Sequence, residues 1–231
     1  MMSSPPSFPV ALRSELLSGP LLTYVLIVLG LTVLIKYIYG KRLKQDVNIF
    51  LQRSYNINAR LNAHSDLYHN YFLWCSLLFA CASAVFLLLC DMRLNILPIP
   101  SDRLPSAVPV CAAGILLFYG AKSALALFFG QIIHEEQHFR QYLDYMWLTL
   151  RMTGCILVPC ILVIPFLSPS WSLRVVHVAA ILLCAITVLR WLKGVFWNLG
   201  HGFSIFYFIL YLCTFEFTPV LVAWKLWFSE I

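Results

Sequence analysis

Apolar residues in this chain gather into long runs instead of alternating with polar ones. Six stretches, about 21–39, 71–90, 110–130, 143–167, 173–192 and 203–227, are apolar almost throughout. Each is close to the ~20 residues that carry a helix across a ~30 Å hydrocarbon core. Barrel strands alternate over ~10 residues, and these runs do not. The pattern predicts an all-α fold, a polytopic transmembrane helical bundle of about six spans. Residues 1–20 hold four prolines and several serines and read as a flexible lead-in to a single membrane domain over 21–231. Pro98, Pro100, Pro105 and Pro109 mark a connector before the third span. Pro159 and Pro165 fall inside the fourth, where proline is expected to kink a membrane helix. No repeat is visible.

Residues 41–70 break the rhythm. Leu43, Val47, Phe50, Leu51 and Tyr55 recur at helical spacing, with Lys44, Gln45, Gln52 and Arg53 between them. Two readings fit this cytoplasmic segment equally: a helix lying on the inner membrane surface, or an extension of the first span into solvent.

Composition agrees with the pattern. The chain has 231 residues, 61% hydrophobic and 11% charged, against about 25% charged in soluble domains. The eight cysteines all lie within apolar runs, with no C-x-x-C pair, and read as packing residues and not as a disulfide framework. The net charge of +6 follows from basic residues flanking spans and needs no nucleic-acid partner. With six spans and the N-terminus outside, Lys41, Arg42, Lys44, Arg53, Arg60, Arg140, Arg190 and Lys193 fall inside; Arg13, Arg93, Arg103, Arg174 and Lys225 fall outside. This bias predicts a multi-pass membrane protein with both termini on the side away from the cytoplasm. Arg190 is expected to snorkel to the inner surface.

Three charges lie deep within spans, well away from their ends, and are the candidate site: Lys122, Arg151 and Glu216. An intramembrane carboxylate costs about 2.5 kcal/mol or more on insertion scales and normally finds a partner. Lys122 and Glu216 each lie about a dozen residues into their spans from opposite sides, which at ~1.5 Å per residue brings both near the midplane. A Lys122–Glu216 pair is therefore expected, with Arg151 as the rival partner. Pro219 frees the carbonyl of Phe215, a further acceptor. Ser204, Tyr207, Tyr211, Thr214 and Thr218 form a polar stripe on the far side of the last span, of the kind that hydrogen-bonds between helices. Such a cluster serves either as a structural pair that fixes helix neighbours or as a proton- or ion-coupling site. With Glu216 the one acid recognised deep inside a span, the structural role is favoured.

His134-Glu135-Glu136-Gln137-His138 matches H-E-x-x-H, in which two histidines four apart bind zinc and the first glutamate activates water. Here Glu136 and Gln137 make the middle positions polar, flanking Gln131, Arg140 and Gln141 look solvated, and no third ligand stands out. His134 and His138 remain weak metal candidates, and a zinc-dependent membrane protease remains an alternative. No Gly-rich phosphate loop, haem or quinone site is recognisable, so no cofactor is expected.

The run Phe206–Leu221, with Leu210, Tyr211, Leu212, Cys213, Thr214, Glu216 and Pro219, resembles the C-terminal signature of a family of Bacteroidota inner-membrane proteins defined as a domain of unknown function, family 4271. Lys122 in the third span and Gly154 with Pro159 in the fourth are weaker echoes. The resemblance implies a multi-span protein of the bacterial inner (cytoplasmic) membrane, which with the orientation above puts both termini in the periplasm, and it supplies no reaction. The expectation is a non-enzymatic protein, a structural or accessory subunit of a cell-envelope complex, in contact with membrane lipid and other envelope proteins. The alternative is a small proton- or ion-coupled transporter using Lys122, Arg151 and Glu216.

Overall fold

The computed structural model of the chain describes residues 20–51, 66–94, 104–132 and 136–200. They form five long helices: α1 Pro20–Leu51, α2 Asp66–Leu94, α3 Leu104–Ile132, α4 Glu136–Val163 and α5 Pro169–Gly200, with a 3-10 turn Ile164–Phe166 after α4. Each contains a stretch long and apolar enough to cross a membrane, by length and composition. The sixth expected span, 203–227, lies outside the described residues, as do 1–19 and 52–65. The described chain is a helical bundle of membrane-spanning length, as the runs predict.

Every helix begins before its apolar run, and all but α4 also continue past its end, because backbone hydrogen bonding extends into the polar flanks. Three prolines act differently from expectation. Pro105, in the first turn, and Pro109 both lie within α3 and not in the connector before it. Pro165 does not kink the fourth span; it ends it. The residue before a proline is disfavoured in the α region, and the α-helix gives way to the 3-10 turn that carries Pro165. Leu167 is then extended, and the Ser172 N–H donates to the Ser168 carbonyl at 2.8 Å as α5 begins. Pro159 alone remains inside α4.

The helices are unequal partners. α2 and α4 form the central pair, and α1, α3 and α5 pack around them. The apolar windows of α2 and α4 are 61% and 56% buried, against 22%, 17% and 22% for α1, α3 and α5. The central pair runs parallel. The Phe72 ring meets Trp147 at 4.9 Å between centroids, and farther along both helices Phe79 meets Gly154. α3 returns antiparallel against α4, with Trp147 Nε1 donating to Ser123 Oγ at 3.2 Å and Gly130 lying against Phe139.

Between apolar helices in lipid, packing and close backbone approach drive association more than the hydrophobic effect does. Small side chains serve that purpose on α2, where Ala80, Ala82 and Ala84 are fully buried. Gly154 serves it on α4, since a Cβ there would stand 2.9 Å from the Phe79 Cα. Leu78, Val85 and Leu89 of α2, Leu157 and Ile161 of α4, and Val25, Val28 and Ile35 of α1 fill the main core.

Candidate functional site

α1 is one helix by hydrogen bonding but two by shape. Tyr39 leaves helical geometry at φ −117°, ψ 19°, and the chain bends there. Before the bend, Leu21, Val25, Val28 and Ile35 lie buried along one face. Steps of three and four residues carry that face to Tyr39, then Arg42, then Asp46. From Gly40 to Phe50, Asp46 is the one fully buried residue. The described part of 41–70 continues the first helix past the bend, with its carboxylate turned inward and Val47 facing out. The spacing of Leu43, Val47 and Phe50 points to a different inner face.

Asp46 meets α2 and α4 together. The Tyr71 hydroxyl donates to Asp46 Oδ2 at 3.0 Å. Arg151 Nη1 lies 3.4 Å from the same oxygen, with side-chain exposures of 1% for the arginine and 8% for the aspartate. Arg151 Nε donates to the Trp147 carbonyl, one turn back on its own helix, at 3.3 Å. The guanidinium carbon lies 5.4 Å from the centre of the Tyr71 ring and 5.8 Å from that of Phe72, within cation–π range. Tyr39, at the bend, packs on Tyr71 with ring centroids 5.3 Å apart. At the end of α1, Lys193 Nζ of α5 donates to the Phe50 carbonyl at 2.9 Å and lies over the Phe50 and Tyr145 rings. A lone carboxylate here would carry a large burial cost; between a guanidinium and a phenol it is a joint of three helices.

The joint is incompletely made. Among the described residues, Nη1 and Nη2 of Arg151 are buried without a hydrogen-bond partner. The 3.4 Å approach to one oxygen is longer than the ~2.7–2.9 Å of a good charge-assisted bond and lacks the bidentate form arginine prefers.

Of the residues singled out from sequence, Arg151 is at the centre of this cluster and Lys122 is buried on α3, engaged in contacts of its own. Arg190 is buried on α5 instead of reaching out to the surface. Glu216, Pro219, Tyr211, Cys213 and Thr214 lie outside the described residues, so the expected Lys122–Glu216 pair does too. His134 and Glu135 also lie outside them; His138 falls in the first turn of α4, its side chain undescribed. Among the described residues, no group of three or more His, Cys, Asp or Glu side chains is arranged to hold a metal ion. Asp46 and Tyr71 were missed by sequence reasoning. The signal was present: extending the buried face of the first span by whole turns leads through Tyr39 to Asp46.

No curated protein and no solved structure matches the chain. One family does: the chain belongs to the family described as Domain of unknown function (DUF4271), which matches residues 21–227.

Proposed function

We propose that this membrane-spanning bundle is a non-enzymatic structural or accessory subunit of a cell-envelope complex. One observation carries the reading. The buried charge at the α1–α2–α4 junction is spent on joining helices, with Asp46, Tyr71 and Arg151 each supplied by a different one. Buried pairs of this kind fix which helices neighbour one another, even where they add little net stability. Such a bundle offers partners a set helical frame. The test is purification of a tagged copy from its own host, at native expression, in mild detergent. A membrane or envelope protein in stoichiometric amount is the expected result; recovery alone, across several detergents, contradicts it.

A second reading, a small proton- or ion-coupled transporter, gains from Asp46. Glu216 is no longer the one acid to be weighed within the membrane domain, since a second carboxylate is buried beside Arg151. Reconstituted protein that acidifies vesicles under an ion gradient, and loses this with Asp46→Asn, is the outcome that favours it. Zinc content of the purified protein decides the protease alternative; a value near zero ends it.

A further inference from the structure

The half-made pair at Arg151 and the bend at Tyr39 belong together. Residues 40–51 form an arm, attached to the bundle at a helix break and beginning with Gly40, where a Cβ would meet nothing within 4 Å. From Gly40 to Phe50 no apolar side chain is buried outright; Asp46 on Tyr71 and Arg151, and the Phe50 carbonyl on Lys193, tie the arm to three other parts of the bundle. At the other end of that latch, Arg151 is 1% exposed and its Nη1 and Nη2 lack hydrogen-bond acceptors among the described residues. A buried donor left unmade costs roughly 1–3 kcal/mol, more when charged. A planar anion with two oxygens satisfies both nitrogens at once, which the single oxygen of Asp46 does not.

We propose that Arg151 is the receptor for a carboxylate ligand, and that Asp46 occupies it in this structure as a tethered stand-in. The ligand carboxylate takes Nη1 and Nη2 as a fork, Asp46 leaves, and the arm swings at Tyr39 to let it in. The rings of Tyr71 and Phe72 beside the guanidinium favour a carboxylate with an apolar or aromatic body over acetate. This goes beyond the subunit reading and stands whether or not a partner protein is found.

The test is hydrogen–deuterium exchange on the full chain in detergent, following peptides over 40–51, with sodium benzoate and sodium acetate against sodium chloride at equal ionic strength. Benzoate is expected to speed exchange of the arm in the unmodified protein, acetate to do so less. Asp46→Asn removes the competitor. If the arm is displaced no more than a tenth of the time, this variant responds to benzoate, read by thermal shift, at a concentration lower by at least about tenfold. Arg151→Lys keeps the charge and the arm in place but lacks the fork, and is expected to lose the benzoate response. Should Asp46→Asn fail to fold, Asp46→Glu substitutes, with a longer-reaching competitor and a weaker benzoate response expected. Arm exchange unmoved by benzoate, or an Arg151→Lys response equal to the unmodified protein's, overturns the proposal.

Discussion

The two halves of α1 are held by different physics. From Pro20 to Ile38 the helix lays Leu21, Val25, Val28 and Ile35 against α2 and α4, and many small contacts share the work. From Gly40 to Phe50 the same face carries Asp46, the one buried side chain there, gripped at a single oxygen by Tyr71 and Arg151. Apolar packing degrades gradually, because losing one side chain leaves its neighbours in place. A buried ion pair fails abruptly, because losing one partner strands the other. The first half is thus a fixed part of the frame, and the second is attached to it conditionally.

Breaking the charged side should have the largest effect. Arg151→Met leaves Asp46 buried and unpaired and should cost about 3–5 kcal/mol of folding stability, measured by denaturant titration in mixed micelles. Adding Asp46→Leu to that variant should restore most of the loss, since apolar pairs can replace buried ionic ones at little cost. On the apolar side, Ile35→Ala should cost roughly 2–4 kcal/mol and leave exchange over 40–51 close to its original rate relative to the whole. Equal acceleration in both halves would show that they are not separate. Gly154→Ala puts a Cβ 2.9 Å from the Phe79 backbone and should cost about 1–3 kcal/mol through overpacking of the central pair. Tyr71→Phe removes one hydrogen bond to Asp46 and should cost about 1 kcal/mol, with most of its effect seen as faster exchange in the arm. Val47→Ala, on the outer face, should change stability by less than about 0.5 kcal/mol.

Much of this frame is legible in the sequence, and the reasons for the rest are physical. Apolar runs identify spans well, because the length of a crossing helix is set by the hydrocarbon core. Their ends are less legible: α5 begins at Pro169 and runs to Gly200, well past the run at 173–192, since polar residues are tolerated in a helix beyond the apolar zone. Pro165 is legible as a disruptor but not in its role, because whether a proline bends a helix or ends it depends on the residues beyond it. Arg151 is recognisable as buried because it interrupts an apolar run. Asp46 is not, because it sits among Lys44, Gln45 and Asn48, where a carboxylate looks solvated. Hydrophobicity does not reveal a polar residue that is buried for a partner supplied by another helix, here Tyr71 and Arg151. Helical phase does, and tracing the face of Val25, Val28 and Ile35 for further turns leads to it.

The second half of α1 is held across the bundle by Asp46 and Arg151. A double-mutant cycle on these two residues, Asp46→Leu and Arg151→Met singly and jointly, tests this most directly, with unfolding free energy measured for all four proteins. The expected result is a coupling of about 2 kcal/mol or more, the double variant being far more stable than the summed single losses allow. Additive losses, with coupling near zero, would contradict it and leave the arm held by something other than this pair.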